Sequence, residues 1–290
     1  MRTCQLTGKD IALAAAEDFE KFFKSNSNIK IRIEVGDTDF ATTKGQGDKT
    51  RIIISQTLAT DIIDSPKKLY FLLLILGHEI AHVINTHNEG SEQLDLEYRS
   101  LEMWADFYGA KVTMCLITFG EKLRAIHLSI FPDANFENSL DVMGHAAARL
   151  VTDVYSLYSK PHLYLPNNKY PDPLDRVRFI TNGIQSFLLR EIKQQDPSWL
   201  ISVILRMFAQ DPIKKLVESH TEQISRNLDK QVRLVNRWHR KTQDNKTAIT
   251  PGLKPDIDKH LNTKFDKTDD ELELAWQSYE KKLQKLGFLS

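Results

Sequence analysis

Ser65-Pro-Lys-Lys-Leu-Tyr-Phe-Leu-Leu-Leu-Ile-Leu-Gly-His-Glu-Ile-Ala-His-Val-Ile-Asn-Thr-His87 contains the pattern His78-Glu79-Ile80-Ala81-His82, an H-E-x-x-H. The flanking signals are helical. Ser65 suits an N-cap, and Pro66 suits the first helical position, where a missing N–H costs nothing. Asn88 and Gly90 supply stop signals after the last apolar residues. On such a helix His78 and His82 lie one turn apart and roughly 40° apart around the axis. Both imidazoles can therefore reach one metal ion. Glu79 is about 100° round from His78. That is poor geometry for a ligand and good geometry for touching a water held by the metal. Two incidental histidines in a buried helix would give the same pattern, so a second element has to supply the rest of a site.

Ser100-Leu-Glu102-Met-Trp-Ala105-Asp106-Phe-Tyr-Gly109-Ala110 is that second element. Glu102, Ala105, Asp106 and Gly109 follow an i, i+3, i+4, i+7 spacing and share one helix face. The two small residues allow another helix to approach closely, and the two carboxylates point the same way. A catalytic zinc needs a third protein ligand and an open fourth position. Glu102 is the candidate ligand, and Asp106 is the candidate acceptor for a ring N–H of one of the histidines. An acidic pair four apart is more often a solvated face, but acids set among Met103, Trp104, Phe107 and Tyr108 are poorly placed for solvent.

With both stretches in view, the chain resembles the gluzincin-type metallopeptidases, in which H-E-x-x-H is followed by E-x-x-A-D. That group includes the CAAX prenyl proteases and their soluble relatives, and the phage-exclusion peptidases that cleave elongation factor Tu. The resemblance spans roughly residues 30–185. It implies a zincin-like domain with Zn²⁺ held by His78, His82 and Glu102, and it places Asp106 on the aspartate of the family pattern. Tyr170-Pro-Asp-Pro-Leu-Asp-Arg176-Val is similar to the H-P-x-x-x-x-R segment found late in these domains, with Tyr170 standing where the histidine would be. Tyr170 is thus a candidate catalytic donor to an oxyanion, as are Tyr164 and His162 on the same loop. Arg176 is a candidate partner for Asp106, Glu102 or substrate. The resemblance also implies a short sheet beside the active-site helix, with an edge able to pair with an extended substrate. Ile53, Ile54 and Ser55 are the candidate substrate-binding edge, against the alternative of a core strand without substrate contact.

Composition sets the outer limits. The 290 residues carry 41% hydrophobic and 27% charged side chains, ordinary globular values for one large domain or two. Lys+Arg and Asp+Glu balance at 39 each, so no global field favours nucleic acid or an anionic membrane. Cys4 and Cys115 are far apart and outside any metal motif, which fits free thiols in a reducing compartment. The N-terminus lacks the apolar region of a signal peptide, and the run Leu69–Leu76 is too short to span a bilayer. The expectation is a cytoplasmic protein without a membrane partner.

Helices are expected over residues 9–24, 94–119 and 140–158, and strands over Ile29–Val35 and Arg51–Ser55, with a polar, Gly-bearing loop over 36–50 read as a mobile hairpin tip. His87 and His145 read as packed histidines rather than ligands. The metzincin spacing is absent. Beyond about Ile192, Asp196-Pro197 and Asp211-Pro212 each open a short helix. Arg226, Lys230, Arg233, Arg237 and Arg240 form a basic stripe, read either as a solvated face or as a docking surface for an acidic partner. Residues 241–267 read as an irregular linker, and Asp269–Leu286 as a last helix with a favourable charge order.

The expected fold is α+β and mainly helical. A zincin-like metallopeptidase domain covers 1–190, and a C-terminal helical extension covers 191–290. The expected activity is hydrolysis of an intracellular protein or peptide by a zinc endopeptidase, with Glu79 as general base. The phage-exclusion resemblance implies a narrow target of a phage-defence or toxin type. Two rivals are a metal-binding regulator without hydrolysis, and a binding protein that uses the basic helix 226–241 on an acidic partner or a nucleic acid. The balanced charge argues against nucleic acid.

Overall fold

The computed structural model describes residues 5–27, 29–88, 95–159, 170–192, 198–219 and 252–262, with shorter stretches between 233 and 284. Thr7 opens the first helix through a reciprocal cap with Asp10. This helix, α1 (Gly8–Glu20), buries Ile11, Ala12, Ala15 and Phe19. Three short strands follow: β1 (Ile33–Gly36), β2 (Ala41–Lys44) and β3 (Arg51–Ser55). Their order in the sheet is β1-β3-β2, with β1 parallel and β2 antiparallel to β3. Ile52 and Ile54 are fully buried on one face of β3, as the alternation of the strand requires.

This order corrects the expected substrate edge. Ile53, Ile54 and Ser55 lie on the central strand, paired with Glu34, Val35 and Gly36 on one side. On the other side Thr42 and Ala41 pair with Ile53 and Ile54, and the Ser55 amide donates to the Phe40 carbonyl. Their backbone groups are used up in the ladders. The exposed edge beside the site is β2, which lies within the stretch expected to be a hairpin tip. Because β1 and β3 run parallel, that stretch is a crossover carrying a strand of its own. Ile52 donates to Arg32 on the β1 side and Ser55 to Phe40 on the β2 side. By alternation, Ala41 and Thr43 therefore turn their backbone groups outward from the sheet.

After α2 (Gln56–Thr60), Ser65 and Pro66 begin α3 (Pro66–Ile84) at the expected place, although the Ser65 hydroxyl makes no capping bond. Residues Leu69–Gly77 are all buried, so α3 is a core helix enclosed on every side. It ends earlier than Asn88 and Gly90 suggest. Thr86 takes a left-handed φ of 53°, its amide donates to Val83, and the His87 amide donates to His82. These two bonds form a Schellman closure that turns the chain back onto the helix end.

The long helix α4 (Asp95–Phe119) crosses α3 where both are narrow. A Cβ on Gly77 would stand 2.4 Å from the Gly109 carbonyl oxygen, and one on Gly109 would stand 2.6 Å from the His78 amide nitrogen. Thr113 donates to the Leu73 carbonyl at 2.9 Å across the same crossing. Next come α5 (Glu121–Ile130) and α6 (Phe136–Arg149), the latter opened by an Asn135–Asn138 reciprocal cap. A π-helical turn over Leu150–Tyr155 then leads into α7 (Ser156–Ser159). Asp172 caps α8 (Pro173–Glu191), which packs along α4. The helices α9 (Ser198–Met207), α10 (Asp211–Ser219) and α11 (Pro255–Leu261) complete the labelled elements.

Val203, Ile213, Leu253, Ile257 and Leu261 join the same hydrophobic cluster as α1, α3 and α4. Residues 252–254 bond to Phe22 and Lys24, next to the end of α1. The described part is thus mainly helical with one small mixed sheet. Among the described residues no helix is long and apolar enough to cross a membrane.

Candidate metal centre

The α3–α4 crossing sets two imidazoles against a carboxylate. His78 Nε2 and His82 Nε2 lie 3.0 Å apart. Glu102 Oε2 is 3.4 Å from the first, and Oε1 is 3.3 Å from the second. These three side chains form the only group among the described residues whose donor atoms are close enough to hold a metal ion. A tetrahedral ion with bonds of about 2.0–2.2 Å holds its donors roughly 3.3 Å apart, so the triangle fits one face of such a shell.

Charge points the same way. Glu79, Glu102 and Asp106 are buried, and Arg176 is the guanidinium buried beside them. Three carboxylates against one guanidinium leave a net charge of −2, which a divalent cation balances. Without a cation, burial works against a charge on His78, but Asp106 and Glu102 override it and raise the ring to about 10. Burial likewise opposes the charge on Glu102, yet the two histidines hold its carboxyl well below the usual range.

Each donor has its own support. Asp106 Oδ1 sits 2.8 Å from His78 Nδ1, which leaves Nε2 to face the cluster. Arg176, one turn into α8, grips Asp106 through Nε at 2.6 Å and Nη2 at 3.0 Å. Its Nη2 also approaches Glu102 Oε2 at 3.4 Å. Burial would raise the Asp106 carboxyl, but Arg176 and His78 keep it low. Tyr155, placed by the π turn, reaches Asp106 Oδ1 at 3.4 Å and stacks under the Arg176 guanidinium. Single π-helical turns often occur at such sites.

His82 is supported by a residue that sequence reasoning set aside. His87 Nδ1 lies 2.8 Å from His82 Nδ1, brought there by the Schellman closure. Burial and the neighbouring His82 push His87 well below the usual imidazole range, so it is neutral. It is packed rather than a member of the donor triangle. Its ring also meets His239, 5.5 Å away between centroids. No local spacing marks His87, because the contact depends on a left-handed threonine.

Glu79 points away from the triangle toward the sheet. Thr43 Oγ1 on β2 lies 2.8 Å from Glu79 Oε2 and 3.0 Å from its carbonyl oxygen. Asn88 donates to the Thr43 carbonyl and accepts from Gln46, which ties β2 to the end of α3. Glu79, the triangle and the outer edge of β2 all line one cleft of about 370 Å³. Tyr98 and Tyr170 line it side by side in edge-to-face contact, ring centroids 5.6 Å apart and hydroxyls hydrogen-bonded. The charge of Glu102, then burial, pushes the Tyr98 phenol far above its ordinary range, so it is a neutral donor.

His78, Glu79, His82, Glu102, Asp106, Tyr170 and Arg176 therefore meet in one place. Thr43, His87, Tyr98 and Tyr155 join them without a sequence signal. His145 stands apart, half-buried on α6. His162 and Tyr164 lie outside the described residues, as do Cys4, Arg226 and Lys230 of the basic stripe. Arg233 of that stripe is already paired with Glu273.

No protein-family model, curated protein or solved structure matches the chain.

Proposed function

We propose that the chain is a zinc-dependent endopeptidase of the zincin type. One observation carries the reading: the His78–His82–Glu102 triangle opens onto a cleft that also holds Glu79 and the outer edge of a strand. Zn²⁺ is the ion whose usual donor set is two imidazoles and a carboxylate with one position left open. When bound, it supplies Lewis-acid polarisation and acidifies water at neutral pH.

The chain's own residues do the rest. Glu79, one residue beyond His78, takes the proton of the attacking water and returns it to the leaving amine. Thr43 holds the Glu79 carboxylate while it waits. An extended peptide pairs with the outward backbone groups of Ala41 and the outward Thr43 amide, the Thr43 carbonyl being held by Asn88, which presents a main chain without requiring a particular side chain. Tyr98 and Tyr170, bonded to each other on the cleft wall, are the hydroxyls that would turn to a developing oxyanion. Asp106, Arg176 and His87 touch the ligands and fix their orientation, and Tyr155 backs Asp106 and Arg176. An intracellular protein with a narrow cleavage site is the substrate class, in line with the resemblance to phage-exclusion peptidases.

Glu79→Gln separates this reading from a metal-binding regulator. The variant should retain one equivalent of zinc by elemental analysis. It should produce none of the new protein N-termini seen in cells expressing the wild type. If both proteins act alike in the cell, the regulator is the better account.

A further inference from the structure

A second cavity lies on the far side of α3, shares no residue with the metal cleft, and does not depend on the reading of that cleft. It encloses about 600 Å³ between α3, α4, α5 and α6. Its walls are apolar, with Met114 and Ile117 from α4, Leu140 and Met143 from α6. The exposed side chains of Leu128 and Phe136 stand at its rim.

Beside Thr118 and Asn135, two polar features of this lining bear on a ligand. The Tyr70 hydroxyl, almost fully buried, meets His127 Nε2 at 2.9 Å, and Ser139 lies within hydrogen-bond reach of the same phenol. At the mouth stands Arg124, exposed on α5, whose side chain has no hydrogen bond or ion pair among the described residues. Of the nearby charges, Lys21 pairs with Glu121 and Lys122 with Glu17, while Asp18, Glu121 and Asp256 line a neighbouring cavity with Arg124 without bonding it. Arg149, Arg176 and Arg206 each bind a carboxylate. A guanidinium that bonds no carboxylate among the described residues, standing over an apolar chamber, is complementary to an apolar body carrying one negative group. The volume is that of a small-molecule site.

We propose that this cavity binds a small amphiphilic anion of the medium-chain carboxylate class. The chain of the ligand fills the space between α4 and α6, and its head group meets Arg124. A carboxylate reaching a guanidinium in two-point contact gains geometry as well as charge.

Calorimetric titration of the full chain with decanoate tests this, with 1-decanol as the uncharged control. Saturable binding of one decanoate per chain is expected. Arg124→Gln should weaken decanoate at least fivefold while leaving 1-decanol unchanged. Ala134→Trp, a loop substitution that fills the mouth, should abolish both. Three results would overturn the proposal. One is decanoate binding that does not saturate. Another is equal decanoate affinity in the wild type and either variant. The third is a dimer in sedimentation that Ala134→Trp disrupts and decanoate does not, which would give the cavity to a second copy of the chain.

Discussion

As proposed ligands His82 and His78 carry the same role but are secured by different chemistry. His78 leans on an aspartate that is itself clamped by an arginine. His82 leans on His87, a neutral ring that can take or give only one hydrogen. Outer partners of this kind typically change metal affinity about 10–100-fold when removed. His87→Phe keeps a ring of similar size beside His239 and deletes the hydrogen bond. Zinc affinity measured against a chromogenic chelator should fall about tenfold or more, with an unchanged far-ultraviolet circular dichroism spectrum. Equal affinity would show that the Nδ1 contact does nothing for the centre. The difference in support also explains what could be read from sequence. His78, Glu79 and His82 lie within a turn of each other, and Glu102 and Asp106 repeat that spacing, so helical periodicity alone exposes them. His87, Tyr98, Tyr155 and Thr43 arrive through a helix stop, a π turn and a strand edge, none of which leaves a periodic trace.

At the level of elements, the α3–α4 crossing and the end of α3 decide where the donors stand. Gly77 and Gly109 face each other so closely that any Cβ must displace backbone. Gly109→Ala should therefore cost about 1–3 kcal/mol, the usual range for overpacking, and should lower zinc affinity as Asp106 moves off His78. Urea denaturation and the same chelator assay measure the two effects. The α3 stop behaves oppositely. Thr86 holds a left-handed φ that disfavours a β-branched residue by about 1–2 kcal/mol. Glycine adopts that conformation without strain, so Thr86→Gly should stabilise the folded chain by roughly 0.5–1 kcal/mol after its added unfolded-state entropy. A lower urea midpoint would show that the threonine side chain makes a compensating contact. The helices α1, α3 and α4 were legible because their apolar positions recur along many residues, whereas α8, as long as α3 and starting at Asp172-Pro173, was not expected. The β2 strand was not, because Ala41-Thr-Thr-Lys44 lacks an apolar alternation, and strand order is a tertiary property that no single strand encodes.

Across the whole molecule, buried charge is concentrated in two places on α4, with opposite consequences. Around Asp106 the excess is negative and suits a cation. One turn further on, Lys111 is 2% exposed. Its ammonium lies 5.4 Å from the Phe107 ring centroid and 5.8 Å from that of Tyr108, with no carboxylate bound to it among the described residues. Burial lowers Lys111 from 10.5 to about 8. The unfolded chain therefore holds this proton more tightly than the folded one. Protonation opposes folding fully below about pH 8, and the penalty fades as pH rises from 8 toward 10.5. A shift of that size corresponds to about 3 kcal/mol. Lys111→Met keeps the length of the side chain and removes the charge, so it should be more stable than the wild type at pH 7 by up to about 3 kcal/mol. The gap should close by pH 10.5, because the wild type gains stability over that interval and the variant does not. Comparing urea midpoints of the two proteins at each pH isolates this residue from the other lysines and tyrosines, which titrate in both. A gap independent of pH would mean that Lys111 meets its charge inside the fold.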